Sequence, residues 1–179
     1  MLYLKYISTI HSNINRKKSK GFNMYCTQAD LIAIKNQQKR ILGLDIGDRR
    51  IGVSVCDATW TIATPIATLD RQKNWKEDLR GLLKTYQGNT PIGGFVSGLP
   101  ILMNGDEGSQ AQKVRQCLEK HFFPFEFPIY LWDERLSTCA AQSALIEADM
   151  SRSKRKDTVD KVAASFILQG VLDLIRPEK

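Results

Sequence analysis

"ILGLDIGDRRIGVSVCD", residues 41–57, sets two apolar runs rich in Ile, Leu and Val on either side of the polar turn Asp48-Arg49-Arg50. Short runs of this composition, bounded by turn residues, read as the two strands of a β-hairpin. Within the first run, period-two alternation puts Asp45 on the face of Ile41 and Gly43, opposite Leu42, Leu44 and Ile46. A carboxylate in an apolar strand needs a cation, hydrogen-bond donors or water; Asp followed closely by Gly is also common at a simple strand-end turn.

Downstream of the hairpin, "TIATPIATL" (61–69) reads as a third strand, with Pro65 marking an edge or a bend. In "NWKEDLRGLLKTYQ" (74–87), Trp75, Leu79, Leu82, Leu83 and Tyr86 recur at helical spacing. "PIGGFVSGLP" (91–100) is a short buried strand, "SQAQKVRQCLEKHF" (109–122) an amphipathic helix and "FPIYLWDE" (127–134) a further strand. "STCAAQSALIEADM" (137–150) reads as a helix capped by Ser137, "SRSKRKD" (151–157) as a basic loop, and "TVDKVAASFILQGVLDLI" (158–175) as the final helix. Three strands in succession, followed by alternating helices and strands, predict an α/β fold with a mixed five-stranded sheet flanked by helices.

The chain of 179 residues, 42% of them hydrophobic, is long enough for one sizeable core. No apolar run approaches the roughly 20 residues that cross a bilayer. Cys26, Cys56, Cys117 and Cys139 are scattered without a C-x-x-C pair, so reduced thiols in a soluble, cytoplasmic protein are expected and a zinc site is not. Residues 1–40 carry eight Lys/Arg against the single acid Asp30, while residues 41–179 carry eighteen of each sign. The basic pI of about 9.3 therefore belongs to the leader and does not signal a basic nucleic-acid-binding domain. Targeting peptide, disordered arm and a start at Met24 all fit the leader, and the expected division is 1–40 outside the fold and 41–179 as the folded domain.

Two further groups of acids stand out. Asp160 falls within the apolar stripe of the final helix (Val159, Val162, Ala163, Phe166, Ile167, Gly170, Val171, Leu174), in what this reading makes its first turn. Asp133 and Glu134 close the strand "IYLWDE" and point to opposite faces, so one of them shares a face with Asp45 and the other is free to bond Arg135 or a backbone amide. Acids from the first strand, a later strand and the last helix, gathered at one end of the sheet, suit hard divalent cations such as Mg²⁺ or Mn²⁺. Two such ions about 4 Å apart support phosphodiester hydrolysis. No Ser, Cys or His constellation offers other chemistry, and His11 and His121 stand alone.

"LDIGDRRIGVSV", "SGLP…NGDEGSQA", "DERLST" and "DTVDKVAASFILQ", in this order over residues 41–175, resemble the YqgF (RuvX-like) family of Holliday junction resolvase-like proteins and pre-16S rRNA nucleases. The resemblance implies an RNase H-like fold and a metal-dependent nuclease acting on structured nucleic acid. The implied task is trimming the 5′ end of precursor 16S rRNA, with junction cleavage in recombination as the alternative. Carried onto this chain, it implies catalytic Asp45, Glu134 and Asp160, metal ligation by these three and Asp133, and precursor rRNA, branched DNA or ribosomal precursor particles as partners. Arg49, Arg50, Arg135, Lys154, Arg155 and Lys156 then become candidate phosphate contacts. The family carries an asparagine where this chain has Leu102. Two rivals remain at this level: an actin-like or sugar-kinase ATPase, which needs a second domain of comparable size, and a non-catalytic nucleic-acid-binding module.

Overall fold

In the computed structural model, residues 24–88, 90–136 and 152–176 are described, the side chains of 136 and 152–161 excepted. They form α1 (Gln28–Asn36), β1 (Arg40–Ile46), β2 (Arg50–Cys56), β3 (Ala63–Asp70), α2 (Trp75–Thr85), β4 (Ile92–Leu99), α3 (Ser109–His121), β5 (Ile129–Asp133) and α4 (Arg152–Leu174). The five strands make one sheet in the order β3-β2-β1-β4-β5. The hairpin pairs Leu44 with Val53 antiparallel, β2 pairs antiparallel with β3, and β4 and β5 add on parallel. This is the expected mixed five-stranded sheet.

Alternation along each strand divides the core into two. Leu42, Leu44, Phe95, Leu99, Ile129 and Leu131 lie with Trp75 and Leu79 of α2 and Val114 and Leu118 of α3. Ile41, Val96, Tyr130 and Trp132 face the other way, onto Leu31 and Ile34 of α1 and Ile167, Leu168 and Val171 of α4. Asp45 follows the parity of Ile41 and Gly43 and so faces α4, as the alternation predicts. The approach of α4 is close: a Cβ on Gly43 would lie 2.7 Å from Leu168 Cβ and 2.9 Å from the Ala164 carbonyl oxygen. The Ser54 hydroxyl donates to that same carbonyl at 2.8 Å.

Three expectations require correction. The leader is not wholly outside the fold: Met24 and Cys26 bracket Ile129 with backbone hydrogen bonds of 2.8 and 2.9 Å, and Tyr25 and Cys26 are buried. Thr27 and Asp30 form a reciprocal capping box that starts α1, which buries Leu31 and Ile34. Each such side chain contributes roughly 1.5–3 kcal/mol by burial. The folded region therefore begins by residue 24; residues 1–23 lie outside the described residues. The segment 152–156 is helix rather than loop, because Lys and Arg favour helix and no glycine or proline interrupts the run. Asp160 consequently sits in the third turn of α4, away from the amide end. The helix expected over 137–150 lies outside the described residues.

The buried stripe of α4 is also displaced by one residue. Ala164, Ile167, Leu168, Val171 and Leu172 are buried, while Phe166 is half-buried. A small residue at 164 fits the close approach to Gly43 that a phenylalanine would obstruct.

Candidate active site

Parallel pairing brings the C-terminal ends of β1, β4 and β5 side by side. Leu44 pairs with Ser97, and Gly98 pairs with Trp132. Asp45 and Gly98 are the next positions along their strands, on the α4 side of the sheet. β5 ends at Asp133, and Glu134–Leu136 form a 3₁₀ turn. That turn carries Glu134 back over β4: a Cβ on Gly98 would fall on Glu134 Oε1 and lie 2.7 Å from Ile167 Cδ1. The absence of a side chain at Gly98 therefore makes the seat in which the Glu134 carboxylate rests.

The Glu134 carboxyl is pushed up to about 7 from its ordinary 4.5, first by burial, then by the negative charges of Asp45 and Asp133. Glu134 and Asp45 are thus electrostatically coupled on one face of the sheet, in surroundings that resist their joint ionisation.

Asp133 is placed differently. It follows Ile129 and Leu131 onto the opposite face and is fully buried. Arg135 binds it through Nη2 at 2.6 Å and Nε at 3.0 and 3.1 Å, and the Arg135 amide adds a bond of 3.0 Å. Arg135 Nη1 also donates to the Leu102 carbonyl at 3.2 Å, tying down the loop after β4. The strand's last residue, Asp133, and the first residue of the 3₁₀ turn, Glu134, thus go to opposite faces, and the structure separates Asp133 from the Asp45 side. Most donors of Arg135, a candidate phosphate contact, are occupied within the protein.

Beside Asp45 opens a hollow of about 490 Å³, lined by Gly47, Asp48, Arg49, Arg50, Asp70 and Gln72. Its turn is fixed by Arg71, which donates to the Gly47 carbonyl at 2.6 Å, and by the Gly47 amide donating to the Arg50 carbonyl at 2.9 Å. Arg49 is exposed and reaches Gln72 at 3.5 Å; Arg50 is half-buried. Lys154, Arg155, Lys156 and Asp160 have helical backbone, but their side chains lie outside the described ones. Among the described residues no group of three or more His, Cys, Asp or Glu side chains is arranged to hold a metal ion. No helix among them is long and apolar enough to cross a membrane.

Gly98 is the site residue that sequence reading missed. A glycine inside a buried strand marks a close approach by another group, and "SGLP" carries that signal without saying which group approaches.

A family model described as "RuvX: Holliday junction resolvase" matches residues 39–174. A protein of Paramagnetospirillum magneticum named "Putative pre-16S rRNA nuclease" is 44% identical over 145 residues, covering 81% of this chain and 92% of its own. Relatives with the same name from Rhodobacter capsulatus (49% over 133 residues, 74% and 82% covered) and Thermoanaerobacter pseudethanolicus (47% over 137 residues, 75% and 96% covered) are comparably similar. Among solved structures, T. thermophilus RuvC in complex with a Holliday junction substrate aligns with 75% of this chain and 94% of its own, at 12% identity and a TM-score of 0.43.

Proposed function

Because the chain belongs to the RuvX family, described as Holliday junction resolvase, we propose that it is a metal-dependent nuclease acting on structured nucleic acid, with 5′-end processing of precursor 16S rRNA as its task. The observation that carries this reading is Glu134 seated over Gly98 beside Asp45, with its pKa raised to about 7. Two carboxylates held together against their repulsion lose that penalty when a cation is present. The name shared by the relatives at 44–49% identity supports precursor rRNA as the substrate.

The donor set is all oxygen, which suits Mg²⁺ or Mn²⁺ and not a soft metal. Asp45 and Glu134 would hold the ion together with Asp160, which stands one turn before Ala164 on the helix facing Gly43. The chemistry such ions would supply there is activation of water and stabilisation of the leaving oxygen of a phosphodiester. The protein's own contribution is placement. Gly98 admits the Glu134 carboxylate, and the Asp133–Arg135 pair fixes the strand end that aims it. Arg49 and Arg50, on the hollow beside Asp45, hold phosphates of the substrate, and Lys154, Arg155 and Lys156 extend that contact along the start of α4. Asp133, held by Arg135, is a positioning residue in this reading and not a ligand.

The test is cleavage of a precursor 16S rRNA 5′ segment and of a four-way DNA junction, each with Mg²⁺, Mn²⁺ or EDTA. Metal-dependent cutting of the rRNA at a defined position is expected. Cutting of the junction alone would move the substrate to DNA, and cutting of neither would remove the nuclease reading.

A further inference from the structure

A hollow of about 660 Å³ lies between α2 and the end of α3 and is remote from the acids. It adjoins Ile92 at the start of β4, whereas Glu134 sits over Gly98, six residues or roughly 20 Å along the strand. It also lies on the opposite face of the sheet, with the α2–α3 core. Its floor is apolar, formed by Leu79, Leu83, Tyr86, Phe125 and Phe127. Lys76, Arg80 and Lys84 recur every fourth residue along one side, a basic row of about 12 Å in which Arg80 Nη1 donates to Glu77 at 2.8 Å. Lys120 stands across from them, and every charged residue lining the hollow is basic. His121 senses the same field: burial and then the charges of Lys76, Lys120 and Arg71 lower its pKa.

We propose that this groove docks an acidic amphipathic segment of a partner protein, its apolar side chains in the floor and its carboxylates against the Lys76–Arg80–Lys84 row. The chemistry narrows the occupant. A basic groove with aromatics also describes single-strand nucleic-acid sites, but those offer open ring faces to bases. Here Trp75 is 6% exposed, with Lys76 over its ring and His121 edge-on at 5.3 Å, and Arg40 covers Tyr86. The chain's own residues 1–23 contain five Lys/Arg and no acid, so their charge opposes docking here. Since the groove and the acids occupy opposite faces, the partner and the substrate can bind together.

The experiment is fluorescence anisotropy of the full-length protein with a labelled 14-residue helical peptide carrying Leu at every third or fourth position and Glu elsewhere. Saturable binding is expected. It should weaken about tenfold or more in Lys76→Glu/Lys84→Glu and be lost when the peptide leucines become serines. Both lysines are exposed, so the variant should melt with the wild type; Lys76→Gln/Lys84→Gln provides a milder second variant. Equal binding by wild type and both variants would overturn the proposal. So would tight binding of a 14-nucleotide oligouridylate that the same variants weaken, with the peptide inert.

Discussion

Glu134 and Asp133 are adjacent in sequence and opposite in energetic sign. Glu134 titrates near 7 in the folded protein against an ordinary 4.5, so the folded state holds its proton more tightly than the unfolded chain. The stability this supplies is complete below pH 4.5 and is lost as the pH rises through about 7. Glu134→Gln should therefore abolish cleavage and yet raise the melting temperature at pH 8 without metal, on the order of 5 °C, flattening the pH dependence between 4.5 and 7. Asp133→Asn leaves the Arg135 guanidinium without its buried counter-charge, which typically costs about 3–5 kcal/mol. Its melting temperature should fall where that of Glu134→Gln rises; thermal melts of the two variants at pH 8 check this, and a shift of the same sign in both would contradict it. Gly98→Ala places a methyl group where the Glu134 carboxylate rests. It should lose cleavage while the sheet still forms, measured by activity alongside circular dichroism.

At the scale of elements, the hairpin and the faces of Asp45 and Asp133 were legible, because period-two alternation fixes which way each strand residue points; Glu134 reaches the face opposite Asp133 through the 3₁₀ turn that follows β5. α1 was not, since only Leu31 and Ile34 of its nine residues are buried and Ile32 is 42% exposed, leaving little apolar periodicity to read. Its local signal was Thr27 three residues before Asp30, a capping box that composition obscured. The start of α4 was misplaced because a run of like charges reads as solvated loop, although Lys and Arg are good helix formers. The seat at Gly98 depends on a residue 36 positions away folding back over β4, which no local pattern encodes. A chain starting at residue 38 removes Tyr25, Cys26, Leu31 and Ile34 from the two cores. Its melting temperature should drop on the order of 10 °C or more, and Leu31→Ala alone should cost about 2–5 kcal/mol in denaturant unfolding. An unchanged midpoint would return this segment to the outside of the fold.

For the whole molecule, the sheet order places the ends of β1, β4 and β5 together under α4, with Asp45 and Glu134 on that side. The two faces differ in chemistry: carboxylates under α4, and a basic groove with an apolar floor between α2 and α3. The first of these is the central claim, and a carboxyl titrating near 7 makes it measurable. A divalent cation bound by Glu134 must displace its proton. Mn²⁺ titrated calorimetrically into the full-length protein at pH 6, in buffers of different ionisation enthalpy, should bind with release of nearly one proton, the release fading by pH 8. In Glu134→Gln both the release and the tight binding should disappear. Mn²⁺ binding of equal affinity in Glu134→Gln, or binding at pH 6 with no proton released, would contradict the account.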